Sequence, residues 1–164
     1  MAGVPVKLRP LEYTFAAYAG FLRQSDNLLS GRRDAYGFNG QGYDAHVVGA
    51  VAEFVVAKVL DVCWSGPGAL RSADVGRSIQ VRSSPRHANC LIVHPDNPDW
   101  LPFVFVTGCL LDYVVQGWLY GGEAKFHGWW REPHPGRGAY FVPSSALRGI
   151  ETLSQYSEGR SHGW

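Results

Sequence analysis

Between Leu11 and Leu29 apolar residues recur at three- and four-residue steps, with Leu11, Phe15, Tyr18, Phe21, Leu22 and Leu28 on one side and Arg and Gln between them. That is a helical period, and it predicts a helix packed on the domain by its aromatic side. Gly31 to Gly42 holds four glycines and predicts a loop. Asp44 suits the N-cap of a second helix running to about Val62. From Val47 to Ala57 every residue except Glu53 is apolar or glycine, so this helix should be buried.

The later part of the chain reads as strands. Trp64 to Leu70 contains SGPG and must turn. Ile79-Gln80-Val81-Arg82 alternates apolar and polar residues, which puts Gln80 and Arg82 on one face of a half-buried strand and Ile79 and Val81 on the other. Asp74 lies just upstream, across a turn at Gly76. Cys90 to His94 and Phe103 to Thr107 are apolar runs of strand length, and the second should lie centrally in a sheet covered on two sides. Tyr113 to Tyr120 predicts another strand, with a bulge at Gly117. Gly121 to Gly138 reads as a long irregular segment, Ala139 to Val142 as a last short strand, and Pro143 to Leu147 as a short helix or turn. The fold class expected is α+β: a single domain whose central mixed sheet of about four to five strands is flanked by helices. Its parts are an N-terminal helix over 11–29, a core over 44–148 and a frayed tail over 155–164.

Composition narrows the classes. At 164 residues the chain fits one domain able to bury a core without disulfide or metal staples. The net charge is only +1, so a polyanion would have to be met by a local cluster rather than a global basic field. Cys63, Cys90 and Cys109 have no metal-ligand spacing and read as small core hydrophobes. No window is long and apolar enough to span a bilayer, and a soluble, cytoplasmic protein is expected.

The candidate chemistry centres on Glu53, Asp74, Gln80 and Arg82. A lone carboxylate in a buried helix must be paired, protonated or metal-bound, and Glu53 has two readings: it pairs with an Arg and braces the helix, or it ligates a metal. Gly49, Ala50 and Ala57 leave its flank thin-walled. Two carboxylates and the Gln80 amide oxygen form a hard oxygen set suited to Mg²⁺ or Mn²⁺, with Arg82 beside them to neutralise a phosphate. Ser83, Arg86 and His87 follow closely enough to reach the same cleft, and His87 suits proton transfer near neutrality. Arg82, Arg86, Lys125, Arg32 and Arg33 are the candidate nucleic-acid contacts, the last two being otherwise a solvated helix end. Trp129 and Trp130 either stack on unpaired bases or pack in a core or an interface, and the Trp-rich segment 118–131 is where a second copy or a protein partner would bind. Phosphate-loop, nucleophile-elbow and HExxH motifs are absent.

This constellation resembles the PD-(D/E)XK, restriction-endonuclease-like nucleases. Glu53 matches that family's helix acid, Asp74 its metal-binding Asp, and Gln80 and Arg82 the two ends of its acid-x-Lys triplet. The resemblance implies a divalent metal, DNA as substrate and a sheet of about four strands flanked by helices. The chain as a whole also looks similar to uncharacterised proteins of tailed phages, which implies a phage or bacterial context. Two departures alter the chemistry: Gln80 brings no charge to a metal, and the Arg82 guanidinium cannot take a proton from water. The expected function is metal-dependent cleavage of DNA. The alternative is a degenerate relative that binds nucleic acid or a protein partner without cutting.

Overall fold

The computed structural model describes residues 3–30, 42–64, 66, 75–76 and 78–153. Asp74, the Arg32-Arg33 pair, the glycine-rich 31–41 stretch, most of the 64–70 turn and the tail beyond 153 therefore lie outside the described residues. The protein is α+β, and its described residues form one four-stranded and one three-stranded sheet.

Helix α1 spans Pro10–Leu29 and α2 spans Gly42–Leu60. Pro10 suits the first helical position of α1, where its missing N–H would be unpaired anyway, and Glu12 closes a capping interaction by accepting from the Arg9 backbone N–H at 2.8 Å. Helix α2 lies between α1 and the larger sheet, which explains why it is apolar on almost every side.

The larger sheet has the order β1 (Val4–Lys7), β5 (Asp112–Tyr120), β4 (Pro102–Cys109), β2 (Gln80–Ser84). β2 runs parallel to β4, and the other pairings are antiparallel. β4 is buried along almost its whole length, as its two-sided apolar run requires. The bulge expected at Gly117 is present: Phe105 pairs with Gly117 and Val106 with Val115, so Gln116 is the extra residue. Gly117 has φ of 139°, and Cβ there would strike the Arg148 carbonyl oxygen, so only glycine fits. The smaller sheet has the order β3 (Leu91–Val93), β7 (Ala139–Val142), β6 (Trp130–Arg131), all antiparallel. The one-turn helix α3 (Gly121–Ala124) and a 3-10 turn at His127–Trp129 order much of the segment expected to be irregular.

Two cores flank the larger sheet. On one face α2 packs Val51, Val55 and Val56 against Val81, Val104, Val106 and Val115. On the other face Phe103, Phe105 and Leu119 meet Leu91, Val93 and Val142 of the smaller sheet. Both long helices thus lie to one side, and a second sheet takes the place of the helix expected on the other.

Four expectations need correction. No strand is expected ahead of Leu11, because four residues containing Pro5 carry too little alternation to register; β1 nonetheless pairs at the sheet edge, where a proline is tolerated. Cys63 and Cys109 are exposed rather than in the core, since both fall where an element ends. Helix α2 starts at Gly42 and ends at Leu60, so Asp44 lies in its first turn rather than at its N-cap. Of the readings for Trp129 and Trp130, packing is present, edge-on against Phe126 and Tyr140, and Trp118 is fully buried with its indole N–H donating to Thr152 Oγ1 at 2.9 Å. Most consequentially, α1 turns its aromatic side outward. Its buried residues are Ala16, Ala19, Gly20, Gln24 and Asn27, and a Cβ on Gly20 would come within 2.5 Å of the His46 carbonyl oxygen. The helices approach too closely for large side chains between them, so the large ones face solvent.

Candidate functional site

Glu53 is only 6% exposed and sits at the junction of α1 and α2. Arg23 Nη1 and Nη2 donate to its two carboxylate oxygens at 2.7 and 2.6 Å, and the Trp64 indole N–H donates at 3.2 Å. The same guanidinium donates to the Gly66 carbonyl oxygen, tying the segment after α2 to the helix pair. This is a two-pronged, charge-assisted contact that satisfies both ions where they are buried. Of the two readings open for Glu53, the Arg brace is the one present.

Strand alternation separates Glu53 from the β2 residues. Val81 points into the α2 side of the sheet, so Gln80, Arg82 and Ser84 point to the other side, in register with Phe103, Phe105 and Thr107. Glu53 and the Gln80–Arg82 pair therefore stand on opposite sides of the sheet. The described oxygen donors do not fit a Mg²⁺ or Mn²⁺ site: a guanidinium and an indole already occupy the Glu53 carboxylate, and Gln80 cannot reach it. Among the described residues no group of three or more His, Cys, Asp and Glu is placed to hold a metal.

What β2 does build is a cleft of about 570 Å³ on the side of the smaller sheet. Its polar lining comes from Arg82, Ser83, Ser84, Asn89 and His94, and its apolar wall from Ile92, Phe105 and Phe141. Arg82 is half-buried, its guanidinium carbon 5.2 Å from the centre of the Phe103 ring, with Nη1 donating to the Val81 carbonyl oxygen at 3.1 Å. A guanidinium over an aromatic face gains a cation–π attraction while leaving its remaining N–H groups usable. Neither Arg82 nor Arg86 forms an ion pair with a described carboxylate. The loop after β2 is shaped by Ser84, whose Oγ accepts from Asn89 Nδ2 and from the Arg86 backbone N–H.

His87 stands beside this cleft on a hydrogen-bonded support. Thr107 Oγ1, fully buried, accepts from Gln116 Nε2 at 2.7 Å and lies 2.7 Å from His87 Nδ1. The bulge at Gln116 is what turns that amide toward Thr107.

No family model, curated protein or solved structure matches the chain. Function has to be read from the residues. The predicted site residues divide into a cleft set, Arg82 and Ser83 with Arg86 and His87 beside them; a structural brace, Glu53; and Gln80, at the start of β2. Lys125 is committed elsewhere, donating to Asp99 Oδ1 at 2.6 Å and to the Asn97 carbonyl oxygen at 2.7 Å. Asn89, His94 and Phe141 were missed. Phe141 reaches the cleft only because β7 pairs with β3, opposite Ile92, and no local pattern in the sequence announces that pairing.

Proposed function

We propose that the protein binds nucleic acid through the Arg82 cleft, without cutting it, and that an unpaired nucleotide is the unit bound. The observation that supports this reading above all is Arg82: a half-buried guanidinium over the Phe103 ring with no described carboxylate partner, lining a cleft that Ile92, Phe105 and Phe141 make partly apolar. A cation with fixed geometry suits a phosphate, and a wall of Phe105, Phe141 and Ile92 suits a base. The cleft volume falls in the range of small-ligand sites, about 300–1,000 Å³, which holds one nucleotide rather than a duplex. Asn89 adds an amide with both donor and acceptor atoms for a base edge. Arg86, exposed just outside, extends the positive surface along a backbone. With Glu53 held by Arg23, the resemblance to restriction-endonuclease-like proteins then rests on Asp74 and the Gln80–Arg82 strand, with Arg82 as a phosphate contact.

The test is fluorescence anisotropy with labelled single-stranded and duplex oligonucleotides over a salt series. Single-strand binding should weaken as salt rises. Arg82→Ala should weaken it at least about tenfold, the effect of losing one charge-assisted hydrogen bond, and Arg86→Ala should reduce the salt slope by about 0.7, the value of one single-strand phosphate contact. Absence of salt-dependent binding to any nucleic acid, or binding indifferent to Arg82→Ala, refutes the reading. Cleavage of DNA on addition of Mg²⁺ or Mn²⁺ would instead restore the nuclease reading and direct attention to Asp74.

A further inference from the structure

The outward face of α1 is built in the reverse of the usual amphipathic sense. Small and polar residues face α2, whereas Leu11 is 79% exposed, Phe15 59%, Tyr18 60% and Leu29 90%. Surface helices ordinarily bury their large apolar stripe and solvate the other side. Here Leu11, Phe15, Tyr18, Leu22, Leu28 and Leu29 leave on the order of 700 Å² open, above the roughly 300–600 Å² of the largest patch on a typical monomer. One partner's share of a standard protein interface is about 800 Å². The stripe therefore has the area of half a stable interface.

We propose that a second copy of this chain covers it, with the two α1 helices packed antiparallel. Leu11, Phe15, Tyr18, Leu22, Ser25 and Leu29 advance by steps of four and three, the 3.5-residue seam of a helix pair rather than the broader stripe of a globular helix. None of the six is charged, so nothing along the seam selects an acidic or basic partner. Size settles the direction. Antiparallel pairing sets Leu11 against Leu29, Phe15 against Ser25 and Tyr18 against Leu22, a large residue facing a smaller or an aliphatic one in every layer. Parallel pairing would set Phe15 on Phe15, Tyr18 on Tyr18 and Ser25 on Ser25, crowded in two layers and hollow in a third. A twofold axis between Tyr18 and Leu22 makes the antiparallel surface self-complementary. This inference stands on α1 alone and does not depend on the Arg82 cleft.

Sedimentation of the full chain over a concentration series tests it. The wild type should sediment with twice the 18.1 kDa chain mass. Tyr18→Glu and Leu22→Lys, both at positions exposed in the folded chain, should each retain the wild-type circular dichroism and dissociate, with Kd raised at least about 100-fold by an uncompensated buried charge. An equimolar mixture of the two variants should reassociate, because antiparallel pairing brings the new Glu onto the new Lys in one layer and leaves a native Tyr18–Leu22 layer in the other. A wild type that stays monomeric up to about 100 µM, a range in which interfaces of this size associate, overturns the proposal. So does a dimer that survives both substitutions. A mixture that stays monomeric overturns the antiparallel pairing.

Discussion

Replacing Arg23 by alanine removes both donors that Glu53 receives from a guanidinium and leaves the carboxylate with the Trp64 indole N–H alone. The carboxylate cannot turn to water, since Glu53 is 6% exposed and the Arg23 side chain 15%. Breaking a buried pair from one side typically costs about 3–5 kcal/mol, because the surviving charge stays desolvated. The Gly66 carbonyl oxygen loses its partner in the same substitution, which places Arg23→Ala toward the upper end. At about 2–4 °C per kcal/mol for a chain of this length, the melting temperature should fall by roughly 6–20 °C. Removing both charges together, as Arg23→Met with Glu53→Leu, should recover most of the loss, since well-packed apolar replacements of a buried pair are often neutral or better. Urea unfolding at pH 7 of the wild type, both single variants and the double variant gives the coupling directly. A loss below about 1 kcal/mol for Arg23→Ala, within the range of an exposed pair, would refute the brace and reopen a different role for Glu53.

Two other substitutions probe how α1 is held. Hydrogen bonds from Lys58, and then from the Arg9 backbone, hold the Glu12 carboxyl down to about 2 from 4.5. Its folded value lies below its unfolded one, so the stabilisation is complete above pH 4.5 and is lost as pH falls toward 2; Glu12→Gln should flatten the acid limb of a stability-against-pH curve in that window, and an unchanged limb would count against the contact. Gly20→Ala sets a helix-propensity gain of about 1 kcal/mol against overpacking of about 1–3 kcal/mol at the His46 carbonyl oxygen. Thermal unfolding should show net destabilisation, and a stabilised variant would show that the helices are not in close contact there.

Local pattern carried far into this fold. The helical period over 11–29, the apolar helix over most of the expected 44–62, the two-sided burial of 103–107, the alternation at 79–82 and the bulge at Gly117 are each set by residues within a few positions of one another and are present in the structure, the second helix running from Gly42 to Leu60. The candidate site was legible to a smaller degree. Alternation along β2 correctly put Gln80 and Arg82 together on one face, but only the packing of α2 reveals that Glu53 stands beyond the opposite face. The buried acid demanded a partner on energetic grounds, and its sequence context allowed either an Arg or a metal.

By itself, then, the sequence determined the two long helices and the strands β2, β3, β4, β5 and β7, that Glu53 must be neutralised, and that Arg82 shares its face with Gln80. Only the tertiary structure decided which side of each element faces inward. Period identifies a stripe without stating what covers it: on α1 the contact with α2 is made by the small Ala16, Ala19 and Gly20 together with Gln24 and Asn27, so the aromatic stripe meant for a core faces solvent. Long-range strand pairing did the rest. It divided the expected single sheet into two and placed Phe141 opposite Ile92 to wall the cleft, while the packing of α1 on α2 set Arg23 onto Glu53 across 30 residues; all of these depend on contacts between segments whose separation along the chain leaves no local trace.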